Sequence, residues 1–134
     1  MKKFIIVISF FTSINLFAHG GKRPGPHGGK IKMPGMFHTE LIINKNHKSF
    51  KVYLLDINFK NPTTKNSFVN YSINKSNKVT CKSKNSFFIC KTDEVLKKGM
   101  SLRVYAKRLK VKGTASYTVL PNKMKSKRNS KMHH

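Results

Sequence analysis

The six histidines are the residues of this chain best suited to chemistry, and they are unevenly placed. His19, His27, His38 and His47 follow an apolar leader, and His133 and His134 close the chain. A neutral imidazole is a good ligand for copper, zinc or nickel. Cleavage after Ala18 makes His19 the N-terminal residue, whose α-amine and imidazole together chelate one metal ion. A second histidine from the fold then completes a histidine brace. Pro26-His27-Gly28-Gly29 places His27 where glycines without Cβ let the backbone approach a ligand closely; the plainer alternative is an exposed loop. His38 and Glu40 stand two apart on a strand and share one face. They either form a metal site with His27 or His19 as third ligand, or line a solvated outer face. His19, His27, His38 and Glu40 are thus the candidate ligands, and copper or zinc the expected ion. Met33 and Met36 lie between His27 and His38. Thioethers suit Cu(I), but methionines also serve as packing residues. His47 falls in a turn and the terminal pair in a tail, so these three read as exposed.

The rest of the composition argues against enzymatic chemistry. The acids are Glu40, Asp56, Asp93 and Glu94, against 28 Lys and Arg. Hydrolytic and hard-metal sites draw on several convergent carboxylates, which four scattered acids do not supply. There is no Gly-x-Ser-x-Gly, no P-loop, and no serine or cysteine in a nucleophile setting. Asp56 ends the strongest strand and reads as a turn former. The expectation is a non-enzymatic protein.

The formal charge of +24 requires attraction to anionic polymers and surfaces, in a salt-dependent way. Its composition does not point to specific nucleic-acid binding. Twenty-four of the 28 cations are lysines, whereas base and phosphate recognition favours the rigid fork of arginine. The expected partners are envelope proteins or anionic surface polymers.

These residues need elements to hold them, and the chain reads as β throughout. Met1-Lys2-Lys3, the apolar run Phe4 to Phe17 and Ala18 form a signal-peptide pattern over 1–18. The run is shorter than the roughly 20 residues of a membrane span, no later segment is long enough, and the expected compartment is periplasmic or secreted. Residues 19–34 are rich in Gly, Pro and His and read as an extended arm. Phe37 to Ile43, Ser49 to Ile57, Phe68 to Ile73, Ser101 to Ala106 and Ala115 to Leu120 show strand periodicity. Lys112-Gly113-Thr114 supplies a turn, and Thr92 to Gly99 reads as one helical turn at most. Cys81 and Cys90 lie on opposite arms of a hairpin and pair as a disulfide in an oxidising compartment. Seven to eight short strands at about ten-residue spacing predict an all-β antiparallel sandwich, immunoglobulin-like, over 35–121. Residues 122–134 form a basic, apolar-poor tail.

Gly25-Pro26-His27-Gly28-Gly29, Phe37-His38-Thr39-Glu40-Leu41 and Val52-Tyr53-Leu54-Leu55-Asp56 together resemble a pattern of small exported bacterial proteins. The same block is similar to a segment of the periplasmic adaptor subunits of heavy-metal efflux systems. The resemblance covers about Pro24 to Thr64. It implies a periplasmic β-domain and transition-metal handling, with His27, His38 and Glu40 as the positions carried over. The coiled-coil hairpin and lipoyl-like parts of those adaptors have no counterpart here.

Overall fold

The computed structural model describes residues 23–120. The leader 1–18, His19 and the tail 122–134 lie outside the described residues. Nine strands follow one another: β1 (Lys30–Gly35), β2 (Phe37–Ile43), β3 (Ser49–Leu55), β4 (Phe68–Ile73), β5 (Val79–Thr80), β6 (Lys82–Lys84), β7 (Phe87–Lys91), β8 (Ser101–Arg108) and β9 (Val111–Thr118). They form two antiparallel sheets, ordered β1-β2-β3-β7-β6 and β5-β4-β8-β9. In chain order, β2, β3, β6 and β7 take the places of strands A, B, D and E of an immunoglobulin sandwich, and β4, β8 and β9 those of C, F and G.

Strand alternation makes the core. Phe37, Leu41, Phe50, Val52, Leu54 and Phe88 face inward from the first sheet and meet Val69, Tyr71, Leu102, Val104 and Tyr117 from the second. Tyr117 also ties the sheets together. Its hydroxyl donates to the Thr39 carbonyl at 3.2 Å and lies 2.5 Å from Thr39 Oγ1, so both buried hydroxyls are paired.

The architecture differs from expectation in four places. The strand count is nine rather than seven or eight, partly because the end of the expected arm is strand β1, with Pro34 tolerated on an edge strand. The first arm of the cysteine hairpin is divided at Cys81: β5 pairs with β4 in the second sheet and β6 with β7 in the first. Cys81 is disulfide-bonded to Cys90 and so fixes the point where the chain changes sheets. Strand β9 begins at Val111, and the turn is Leu109-Lys110. Gly113 serves instead as a close-approach site, since a Cβ there would run into the backbone of Pro34. Finally, Thr92 to Gly99 forms no helix. The backbone N–H groups of Thr92 and Leu96 donate to the carbonyls of Lys48 and His47 in the β2–β3 turn, so they do not close a helical turn.

Candidate functional site

The outer face of the first sheet carries the residues singled out above. Pairing of β2 with β3 sets Glu40 opposite Tyr53 and His38 opposite Leu55. The two rows are separated by roughly 7 Å along the strand. Two segments fold over them, the arm 23–29 over the Glu40 row and the β3–β4 loop over the His38 row.

Glu40 is completely buried, 0% exposed, although it is on the outer face. The arm turns over it, with Gly28 N–H donating to the Gly25 carbonyl at 2.9 Å and Gly25 N–H to the Gly29 carbonyl at 2.8 Å. The carboxylate accepts three hydrogen bonds from the arm. His27 N–H and Gly29 N–H reach Oε2 at 2.7 and 2.9 Å, and His27 Nδ1–H reaches Oε1 at 2.7 Å. A Cβ on Gly25 would stand 2.6 Å from the Glu40 carboxyl, and one on Gly29 2.6 Å from the Leu41 carbonyl. The glycines do permit close backbone approach, and the group approached is this carboxylate. The His27 ring lies flat on Tyr53, centroids 3.7 Å apart at 3°.

His38 is oriented separately. It is 7% exposed, and its Nδ1 is 3.1 Å from the Asp56 carbonyl. A carbonyl only accepts, so Nδ1 carries the proton and Nε2 the lone pair in the neutral ring. Phe59 stacks on the other side at 3.9 Å. Phe59 has φ 64, a left-handed conformation uncommon for a bulky residue. Asp56 holds it there. Its Oδ1 accepts the N–H groups of Asn58 and Lys60, each at 2.9 Å, and its Oδ2 accepts the Asn61 side-chain amide at 2.7 Å. These bonds, led by that from Lys60 N–H, hold the Asp56 carboxyl below its ordinary value. Asp56 is thus a turn former, as its place at the strand end suggests.

The structure therefore joins His27 to Glu40 and turns His38 toward the Asp56 carbonyl. Both rings present an anchored Nδ1–H, and neither Nε2 makes a hydrogen bond within the described residues. Among the described residues, no group of three or more His, Cys, Asp or Glu is placed to hold a metal ion. His47 is exposed, with Nδ1 on the Lys45 carbonyl at 3.0 Å. Met33 and Met36 are exposed rather than packed in the core. Sequence reasoning missed Tyr53 and Phe59, the two rings that position the histidines. Tyr53 stands on the outward phase of its strand, a signal available in advance; nothing in the sequence marks Phe59.

Between the two covering segments lies a cleft of about 650 Å³, lined by arm residues, strand β1, His38 and Phe59. No helix among the described residues is long and apolar enough to cross a membrane. No protein-family model, curated protein or solved structure matches this chain.

Proposed function

We propose that this is an exported, non-enzymatic interaction module that attaches to an anionic envelope surface through its lysines. The observation that supports this is the lack of compensating negative charge. Glu40 is buried under the arm, and Asp56 is engaged by its own loop. Lys30 aside, no lysine or arginine of the described residues forms a salt bridge with a carboxylate; the basic side chain on Glu40 is that of His27. Lys82 and Lys84 stand on the edge strand β6, where charge also discourages edge-to-edge association. The unpaired field reaches about 30 Å at ~0.01 M salt and about 3 Å at ~1 M. Vesicles containing phosphatidylglycerol should bind the protein at low salt and release it at high salt, and uncharged phosphatidylcholine vesicles should not bind it. Binding retained at high salt, or none at low salt, would refute the reading.

A second reading is binding of copper or zinc by His27 and His38, with His19 as a possible brace ligand. Its support is the anchoring of both Nδ1–H groups, the arrangement by which a second shell orients metal-binding imidazoles. In this reading Glu40 orients a ligand instead of being one, and the Met33 thioether beside His38 suits Cu(I). The efflux-adaptor resemblance points the same way. Calorimetric titration with Cu(II) and Zn(II) tests it. An affinity unchanged in the His27→Ala, His38→Ala double variant removes the named site.

A further inference from the structure

We infer that the cleft between the arm and the Phe59 loop is a binding site for a small amphipathic anion, an alkyl chain ending in a carboxylate. The inference is independent of surface attachment, because it concerns one open cleft and not the field of the whole molecule. The apolar lining comes from Pro24, Pro26, Ile31, Met33 and Phe59. Met33 is 51% and Phe59 43% exposed, a large apolar surface left open to water. At about 650 Å³ the cleft falls within the range of small-molecule sites.

Its polar lining is all of one kind. Arg23 and Lys32 are cationic, His38 adds an imidazole, and no carboxylate lines the cleft. The nearby acids are turned away: Glu40 is under Gly25, and the Asp56 carboxylate bonds to its own loop. His38 Nε2 makes no hydrogen bond within the described residues, while Nδ1 is fixed on Asp56. Arg23 and Lys32 therefore place positive charge at the edge of an apolar cleft. An alkyl carboxylate matches both parts, with its chain against the prolines, Ile31, Met33 and Phe59, and its head between Arg23 and Lys32.

The cleft is also built at some conformational cost. A left-handed backbone is unfavourable for a bulky non-glycine residue. Here that residue is an exposed phenylalanine, in a loop held by a carboxylate that accepts three hydrogen bonds from it.

The experiment is a titration of the whole protein, in chelator, with dodecanoate, dodecanol and a dodecyl-ammonium salt. It is followed by calorimetry and by chemical-shift changes at the Ile31 and Met33 methyls. Dodecanoate should bind with one-to-one stoichiometry and shift both methyls, at least about tenfold more tightly than the alcohol, with no binding of the cation. Phe59→Asn keeps a residue that tolerates the left-handed region and should weaken dodecanoate about tenfold or more. Arg23→Gln with Lys32→Gln should abolish the preference for dodecanoate over dodecanol. Lys82→Gln with Lys84→Gln, on the far edge strand, should change nothing. Equal binding of the three amphiphiles, an unchanged Phe59→Asn affinity, or equal losses in the two cation variants would overturn the site. The last result would leave surface attachment standing, whereas loss of vesicle binding with dodecanoate binding intact would do the reverse.

Discussion

Replacing Glu40 should detach the arm from the sandwich, and the size of the effect follows from its contacts. The carboxylate is fully buried and accepts two backbone N–H groups and one imidazole N–H at 2.7–2.9 Å. Hydrogen bonds to a charged group contribute roughly 1.5–3 kcal/mol each, and each buried donor left without an acceptor costs about 1–3 kcal/mol. Glu40→Ala leaves the His27 and Gly29 N–H groups without an acceptor and opens a void beneath Gly25, so a loss of about 3–5 kcal/mol is expected. For a domain near this size that lowers Tm by at least about 12 °C. Glu40→Gln should be much milder. The amide oxygen can accept both backbone N–H groups, and the amide NH₂ can donate to His27 Nδ1 if the ring moves its proton to Nε2. Loss of charge assistance then costs about 1–2 kcal/mol. Thermal and urea unfolding give the energies, and ¹⁵N shifts of the His27 ring report the tautomer. An alanine variant within about 1 kcal/mol of the parent, or a glutamine variant with an unaltered His27 tautomer, would refute the hydrogen-bond account.

Burial pushes the Tyr117 hydroxyl well above its ordinary value, with the negative charge of Glu40 across the sheet adding in the same direction. The folded state therefore keeps a proton that the unfolded chain releases above about pH 10, so stability should fall as pH rises past 10. Absorbance titration should show Tyr117 ionising only on unfolding, and Tyr117→Phe should lessen the alkaline loss. Replacing Cys81 and Cys90 together by serine opens a loop of sequence separation 9 and should cost about 2.5–3 kcal/mol in the chain-entropy account, read by urea unfolding with the parent in reductant as a check. Asp56 has a lowered carboxyl, so its contribution is fully present above the ordinary aspartate range and is lost as pH falls below that range through the lowered folded value. Acidification and Asp56→Asn should both release Phe59 from His38, seen as lost ring-current shifts on the imidazole.

The sandwich was legible because strands β2, β3, β4 and β8 alternate cleanly and carry β-branched and aromatic residues on one phase. Strand β1 was hidden because Lys30, Pro34 and Gly35 look like an arm, and its pairing is decided by the neighbouring β2. The change of sheet at Cys81 is a tertiary event that period-two reading passes over. Gly113 misled because the same absent Cβ suits both a turn and a close approach; Leu109, the residue at φ 58 in the real turn, carries no turn signature. For the site, the shared face of His38 and Glu40 was correctly given by spacing. Their partners were not, because the register that places His38 beside the β3 end and the fold-back of the arm over Glu40 are long-range facts.

The two acids nearest the histidines have the same structural task. Glu40 holds the arm over one row of the outer face, and Asp56 holds Phe59 over the next. Each engages its carboxylate with N–H donors of the segment it fixes, which removes that charge from the neighbouring surface as a site for cations. In a chain with four acids and 28 bases this has two consequences. The cleft between the two segments keeps a purely cationic polar lining although two carboxylates lie close by. Each histidine is also anchored through Nδ1, so any chemistry available to it passes through Nε2. His38 also lines the cleft, so a metal on its Nε2 and an alkyl carboxylate in the cleft would contend for one space. A titration of dodecanoate against Zn(II) should therefore show competition. Independent binding of the two would mean that they do not share the His38 end of the cleft.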